Sequence, residues 1–209
     1  MKRNYLSILT TTLLLLGLST LANANLIING GFEEPGLGSG QFHVYQNILG
    51  WKAINGSGIE VQNNAAGAPH GGSQHVELDS HNNSTMEQKV IGALANELYT
   101  LTFYYSARPG VAAVSNGINV YWDGVQLGGT ISEPPTTTTF WTKYTFQVYG
   151  TANYWTSLIF KAVGNDDTYG GYIDDVSLVA APVPEPATML LFGAGLAGLA
   201  STRLRRKKK

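Results

Sequence analysis

The central part of the chain alternates apolar residues with polar or aromatic ones at a period of two, and this pattern recurs throughout it. The alternating stretches are residues 59–62, 74–78, 99–105, 118–122, 144–149, 157–163 and 172–179. Such alternation is typical of half-buried antiparallel strands. Asp123-Gly124 between two of these patterns predicts a tight hairpin. Because no 12-residue stretch between the turns has helical periodicity, we predict an all-β protein with a single jelly-roll β-sandwich over residues 25–181.

The N-terminal residues 1–24 have the three parts of a secretory signal peptide. Lys2 and Arg3 provide the charged start, and residues 6–21 are apolar. Ala22 and Ala24 form the small-x-small pattern that signal peptidase recognises, so cleavage is expected after Ala24. The sequence therefore predicts export across the cytoplasmic membrane.

The C-terminal residues 182–209 form a second segment outside the predicted sandwich. A proline-rich start is followed by an apolar stretch at about 187–202 and a basic tail at 203–209. The apolar stretch is shorter than the roughly 20 residues that a membrane-spanning helix needs. Basic residues favour the cytoplasmic side of a membrane. An ordinary C-terminal membrane anchor would share these features.

The order of these parts, with the motif Val183, Pro184, Glu185 and Pro186, closely resembles the PEP-CTERM sorting signal. That resemblance implies a Gram-negative bacterium in which an exosortase-type membrane peptidase removes the tail. The protein would then be anchored transiently in the inner membrane, with a short hydrophobic sorting helix, before it reaches the cell surface or the extracellular matrix.

The net charge of the whole chain differs from that of the part between the two end segments. The whole chain has 13 basic and 14 acidic residues, but eight of the basic ones lie in the two end segments. Residues 25–181 keep five basic residues against 13 acidic ones, a net charge of −8. Such a surface repels nucleic acid and anionic lipid. The chain has no cysteine, so neither disulfides nor thiolate chemistry are available to it.

Both ends of the predicted sandwich carry short motifs. Residues 25–33 read NLIINGGFE and residues 171–178 read GYIDDVSL; Gly50-Trp51 lies between them. Together they resemble the galactose-binding-like jelly rolls, which include carbohydrate-binding modules and choice-of-anchor surface proteins. That resemblance implies first and last strands that lie side by side.

The same resemblance implies a structural calcium ion held where the first and last strands meet. Glu33 and Asp174 would be its side-chain ligands, helped by carbonyl groups near Asn29 and Gly31. Hard oxygen donors of this kind suit calcium. Asp175 is expected on the opposite sheet face. The alternative is that these acids are solvated charges at strand ends.

Aromatic residues suggest a surface on which sugar rings could stack. We expect Trp122, Tyr105 and Tyr154 to form an exposed patch. Trp51 and Trp141 are expected to anchor the core.

No catalytic residues are predicted. His75 and Glu77 share a strand face that we interpret as polar and solvated, and His70, His75 and His81 lack the spacing of zinc ligands. The motifs GxSxG, HExxH and a glycine-rich phosphate loop are missing from the sequence.

The sequence leaves two main hypotheses for function. One is a non-catalytic, carbohydrate-binding surface protein that holds extracellular polysaccharide in a biofilm; the PEP-CTERM resemblance favours it, because such systems accompany exopolysaccharide production. The other is a structural or adhesive matrix protein that acts through protein contacts without glycan binding. A small glycan-active enzyme is a weaker third hypothesis, which would need two facing carboxylates in a cleft.

Overall fold

A computed structural model describes residues 24–182, which form two β-sheets packed face to face. This part of the chain contains twelve strands and a short 3₁₀ helix at Ala113–Ser115. The strands are β1 (Gln41–Tyr45), β2 (Asn47–Ile48), β3 (Trp51–Asn55), β4 (Ile59–Asn63), β5 (His75–Glu77), β6 (Thr85–Ile91), β7 (Leu98–Ser106), β8 (Gly117–Trp122), β9 (Val125–Gln126), β10 (Thr142–Tyr149), β11 (Trp155–Val163) and β12 (Tyr172–Ala180). The predicted all-β sandwich is confirmed.

Each sheet has six antiparallel strands. Sheet A has the order β1-β4-β5-β12-β7-β10, and sheet B has the order β2-β3-β6-β11-β8-β9. Their inner faces meet in one apolar core. Phe103 of sheet A and Phe160 of sheet B join the two sheets edge to face, with ring centroids 5.0 Å apart. Trp51 packs against Phe160 and Phe32, so its predicted place in the core is confirmed.

All seven predicted strands are present. The hairpin is confirmed too, because Asp123 and Gly124 have φ values of 47° and 79°, the pair of positive values that a type I′ turn requires. Strand β6 was not predicted, because Glu87, Gln88 and Lys89 interrupt its apolar pattern. The structure explains Gln88: its side-chain amide bonds both the N–H and the carbonyl oxygen of Ile28, at 2.8 and 2.9 Å.

The start of the domain lies beside its last strand, as the resemblance to the galactose-binding-like jelly rolls implies. The N–H of Leu26 donates to the carbonyl of Leu178 at 2.9 Å. The side-chain oxygen of Asn25 accepts from the N–H groups of Ile27 and Leu178. Gly30 crosses β12 so closely that a Cβ atom there would overlap the carbonyl oxygen of Val176.

Strand β12 contains a bulge that corrects one prediction. Its register against β7 shifts between Asp174 and Ser177, and Asp175 has a φ of 47°. A bulge breaks the alternation of side chains between the faces of a sheet. Asp175 therefore does not point to the opposite face; its carboxylate and that of Asp174 both reach the segment that contains His70.

Two of the three predicted stacking residues lie in the core instead. Tyr105 is fully buried, and its hydroxyl donates to the carbonyl of Asn116 at 2.8 Å. Trp122 is also buried, and its indole N–H donates to the carbonyl of Tyr149 at 2.8 Å. Neither ring can face a ligand, so the expectation that they form an exposed patch is wrong.

The predicted end segments fall largely outside the described residues. The signal peptide with Ala22, the sorting motif from Val183 to Pro186 and the apolar stretch at 187–202 are not among residues 24–182. Within residues 24–182 no helix is long and apolar enough to cross a membrane.

The contact at Gly30 gives a test of the terminal pairing. We expect Gly30→Ala to lower the free energy of unfolding by about 1–3 kcal/mol, the usual cost of overpacking, because the new methyl group must displace β12 at Val176. Gly129→Ala is the control, since a Cβ there meets nothing within 4 Å. Urea unfolding measures both. Equal stability of the two variants would contradict the tight crossing.

Candidate functional site

The outer face of sheet A carries a row of polar side chains on adjacent strands. Glu60 and Gln62 project from β4, and His75 and Glu77 from β5, while Ile59, Val61 and Val76 alternate with them toward the core. Glu60 lies directly opposite Glu77, which in turn lies opposite Tyr172 of β12. This register places two carboxylates side by side.

Hydrogen bonds join these side chains into one network. The side-chain amide of Gln62 donates to Glu60 at 2.8 Å and to Glu77 at 2.7 Å. Glu77 also accepts from the guanidinium of Arg108 at 2.5 Å and from the N–H of Gly170 at 2.6 Å. The network therefore ties β4 and β5 to the loops that follow β7 and precede β12.

Glu77 is fully buried in this network. Burial raises its pKa to about 8, even though the charge of Arg108 and the N–H of Gly170 lower it; the neighbouring charge of Glu60 raises it further. Burial raises the pKa of Glu60 as well. A buried carboxylate is stable when charged groups and N–H donors satisfy its oxygens, which is the arrangement at Glu77.

An open pocket of about 300 Å³ lies beside the network. Its lining combines aromatic, hydrogen-bonding and charged groups: Phe42, Glu60, Gln62, Ala65, Ala66, Ser80, His81, Arg108, Thr168 and Tyr169. Phe42 and Tyr169 are exposed by 60% and 46%. The guanidinium carbon of Arg108 lies 4.9 Å from the ring centre of Tyr169, a cation–π contact that orients both groups.

The chain's own loops cover much of the rest of this face. The ring of His70 stacks on Tyr104 at 3.4 Å between centroids. Trp141 lies over His75 and Tyr172 and donates its indole N–H to the carbonyl of Ala68. The pocket is therefore at the β1–β4 side of the face, where these loops leave it open.

His75 corrects the expectation of a solvated polar strand. It is fully buried, and neither ring nitrogen has a hydrogen-bond partner among the described residues. Burial lowers its pKa to about 3, and the charge of Arg108 lowers it further. Glu77 and Asp79 are also buried. Each of these polar groups is enclosed by loops that the pattern of one strand does not reveal.

A second acidic cluster lies where the start of the domain meets β12. Glu33 accepts from the N–H groups of Ser73 and Gln74 at 2.7 and 3.0 Å. Asp174 accepts from the N–H groups of His70 and Gly71 at 2.9 and 3.1 Å. The sequence-predicted pair Glu33 and Asp174 is thus brought to one loop segment, residues 70–74.

Asp175 completes this cluster. Its carboxylate lies 2.6 Å from a ring nitrogen of His70. A Cβ atom on Gly71 would overlap the Asp175 carboxylate, and one on Gly72 would overlap that of Glu33. Burial raises the pKa of Asp174 to about 7; N–H donors lower it, and the charge of Asp175 raises it.

The other two predicted ligands differ in their position. Gly31 lies at the cluster, since a Cβ there would be 3.3 Å from an Asp175 oxygen. The carbonyl of Asn29 instead accepts from the N–H of Phe32 and from the indole of Trp51, so Asn29 faces away. Within residues 24–182 no three His, Cys, Asp or Glu side chains are arranged to hold a metal ion.

Several pocket residues were missed at the level of sequence. Arg108 is the only arginine between residues 25 and 181, and a lone arginine in an acidic domain is a signal for a buried carboxylate partner. Phe42 and Tyr169 gave no such signal, because they come from an unpredicted strand and from a loop. Tyr154 is exposed by 81%, but it does not line the pocket and lies next to the start of β11.

Comparison with known proteins identifies the C-terminal segment. Residues 182–207 match the model of the PEP-CTERM protein-sorting motif. This motif implies export, transient membrane anchoring and processing by an exosortase.

Curated relatives match the chain over a small part of their own length. The multifunctional-autoprocessing repeats-in-toxin protein of Vibrio vulnificus is 26% identical over 155 residues, which cover 73% of this chain and 3% of that protein. Halomucin of Haloquadratum walsbyi is 26% identical over 189 residues, covering 86% of this chain and 2% of that protein.

Solved structures share the sandwich fold. An arabinose-bound α-L-arabinofuranosidase matches with a TM-score of 0.53 and 13% identity, over 75% of this chain and 26% of that one. A cleaved adhesin domain of Lys-gingipain from Porphyromonas gingivalis matches with a TM-score of 0.50 and 16% identity, over 68% and 98%. A xylan-binding carbohydrate-binding module of Paenibacillus barcinonensis has a TM-score of 0.45 and 15% identity, over 69% and 96%.

The burial of His75 predicts a pH-dependent stability. The unfolded chain binds a proton at this imidazole below about pH 6.5, whereas the folded chain does so only near pH 3. The contribution of His75 to stability must therefore fall as the pH drops below 6.5, by up to about 1.4 kcal/mol per pH unit, while the raised pKa values of Glu77 and Asp174 act in the opposite direction. His75→Leu removes this term.

We expect the stability of His75→Leu relative to wild type to grow by about 2 kcal/mol between pH 6.5 and pH 5. Urea unfolding at both pH values measures the difference, and the exposed His43→Leu controls for the loss of an imidazole. A difference that does not change with pH would contradict the burial of a neutral His75.

Proposed function

We propose that this is an exported, exosortase-processed surface protein whose sandwich binds glycans without catalysis, at the pocket on the outer face of sheet A. The observation that carries the proposal is the composition of that pocket. Exposed rings of Phe42 and Tyr169 share it with hydrogen-bonding groups of Glu60 and Arg108. Sugars are bound by such a combination, since their C–H faces stack on rings and their hydroxyls need polar partners.

The network behind the pocket supports binding because it fixes the polar groups in advance. Gln62 is held between two carboxylates, and Arg108 is held by Glu77 and by the ring of Tyr169. Side chains that are already oriented lose little freedom when a ligand arrives. A pocket of about 300 Å³ is at the lower end of the range for small-molecule sites, which suits one or two sugar units of a longer polymer.

The same network favours binding over hydrolysis. Glycosidases place two carboxyl groups against the scissile bond. Here Glu60 lines the pocket, while its neighbour Glu77 is fully buried and bound by Gln62, Arg108 and Gly170. Of this pair, Glu60 alone presents its carboxyl group to a ligand. The carboxyl group of Glu77 positions Arg108 instead.

Charge favours a neutral ligand. The pocket region holds the carboxylates of Glu60 and Glu77 against the guanidinium of Arg108, which Glu77 already pairs. The surrounding domain has a net charge of −8. An anionic polysaccharide would meet repulsion here, so we infer a neutral extracellular polysaccharide, such as a biofilm matrix would supply.

The pocket predicts which tyrosine matters for binding. In a glycan array with residues 25–181 followed by titration calorimetry, we expect Tyr169→Ala to weaken binding at least tenfold, equivalent to about 1.4 kcal/mol, because it removes a stacking face. Tyr154→Ala is the matched control, an exposed tyrosine outside the pocket.

Other results would redirect the assignment. If Tyr154→Ala abolished binding and Tyr169→Ala did not, the site would lie at Tyr154. If uronic-acid polymers bound better than neutral ones, the charge argument would be wrong. If no glycan bound, the structural or adhesive function through protein contacts would replace this proposal.

We also propose that calcium stabilises the acidic cluster. Glu33, Asp174 and Asp175 converge on residues 70–74. Among the ion pairs of the described residues, these carboxylates contact one basic side chain, the imidazole of His70, which lies beside Asp175. Three carboxylates without a lysine or arginine leave negative charge that a hard cation would balance. We assign Glu33, Asp175 and the carbonyl of Gly31 as the calcium ligands. Asp174 holds the loop instead, because it accepts hydrogen bonds from the N–H groups of His70 and Gly71.

Thermal melting tests the calcium assignment. For residues 25–181 we expect calcium at a hundred times its dissociation constant to raise Tm by roughly 5–10 °C over chelator. The rise should vanish in Glu33→Gln and Asp175→Asn. Asp123→Asn is the control, because its αL turn position also accepts asparagine. An identical Tm with and without calcium would refute the assignment and leave the pocket proposal intact.

A further inference from the structure

One end of the sandwich exposes apolar and aromatic side chains, which we call the apolar end surface. It consists of Ile91, Leu94, Tyr149, Tyr154 and Trp155, which are exposed by 55%, 65%, 62%, 81% and 38%. Ile91, Leu94 and Tyr154 line a shallow cavity of about 340 Å³ whose lining contains no charged residue. Trp155 lies opposite Ile91 in the sheet. Exposed apolar groups gathered in this way mark an interaction site.

The domain ends beside this surface. The N–H of Ala181 donates to the carbonyl of Leu98 at 2.8 Å, and Leu98 pairs across the sheet with Tyr149. The hydroxyl of Tyr99, the next residue, accepts from the N–H of Leu94. The chain therefore leaves the sandwich next to the apolar end surface.

The sequence sets how far this end can be from a membrane. The PEP-CTERM match begins at Pro182, and the apolar stretch begins at Ala187. The five residues between Ala181 and that stretch span at most about 18 Å. While the apolar stretch is in the bilayer, the apolar end surface must lie at the bilayer's surface.

We propose that the apolar end surface docks on zwitterionic phospholipids of the cytoplasmic membrane, which do not repel a domain with a net charge of −8, while the sorting segment still anchors the chain. Tyrosine and tryptophan prefer the interface between lipid and water. Lys89, whose ammonium lies 4.2 Å from the ring centre of Trp155, can extend its charge to the headgroups. A tethered surface has a high effective concentration at the bilayer, so a small apolar area suffices for docking. Removal of the tail ends the tether, and the docked domain is released.

Lipid fits this surface better than a protein partner does. Stable protein interfaces bury about 1,200–2,000 Å² in total, which the few side chains here do not approach. The lining of the cavity at this surface is uncharged, so it lacks the charged contacts that give protein partners their specificity.

The experiment uses the full chain reconstituted in liposomes, with brominated lipid as a quencher of tryptophan fluorescence. Trp155 is the tryptophan in the surface, and Trp155→Phe identifies its share of the signal. We expect bromine to quench Trp155 in the wild-type chain. The double variant Leu94→Ser, Tyr154→Ser should lose this quenching; both positions are exposed, so folding should persist. Phe140→Ser, exposed by 66% at the other end, is the matched control and should keep it.

A second variant carries a flexible insert of about 20 residues between Ala181 and Pro182, which allows the domain to move roughly 25 Å away from the membrane. It distinguishes quenching caused by docking from quenching caused only by the short tether. Docking predicts that quenching survives the insert in the wild-type surface. Quenching that disappears with the insert, or that survives the double variant, would show proximity alone and overturn the proposal. A double variant that is quenched like the wild type but retains its tail in cells would assign the surface to the processing peptidase instead.

Discussion

The contact between the start of the domain and its last strand holds the sandwich together. Without cysteine, this domain closes its ends in two ways. The N–H of Leu178 donates to the side chain of Asn25 and the N–H of Leu26 donates to the carbonyl of Leu178; Gly30 fits closely against Val176. The bulge in β12 begins just before that contact. It turns Asp175 toward the loop that Glu33 and Asp174 also bind, so the closure of the fold and the acidic cluster are one arrangement.

The strands of this protein could be predicted where one face is apolar and the other is not. That condition holds for β4, β5, β7, β8, β10, β11 and β12, and their periodicity was sufficient. It fails for β6, where the buried Gln88 replaces an apolar residue because it pairs with the backbone of Ile28. Buried polar groups that satisfy backbone atoms cannot be distinguished from surface residues by composition alone.

The direction of individual side chains was harder to predict than the strands. Tyr104 and Tyr105 are adjacent aromatics on opposite faces, and the sequence gives no sign of which is inward. The structure places Tyr105 in the core and Tyr104 under His70. The pocket depends on Arg108 and Tyr169, which lie in loops that meet at the end of β5. Loops that are far apart in sequence bring these two side chains together, so no local sequence pattern predicts that they are neighbours.

The opposite placement of pocket and chain exit has a mechanical consequence. A force applied between the pocket and residue 181 would run along β12, which pairs with β7 from Tyr172 to Ala180. The hydrogen bonds between antiparallel strands are perpendicular to the strands. Such a force loads these bonds in shear, so they must break together rather than one after another. The domain is thus oriented to resist extension between its pocket and its C-terminal end.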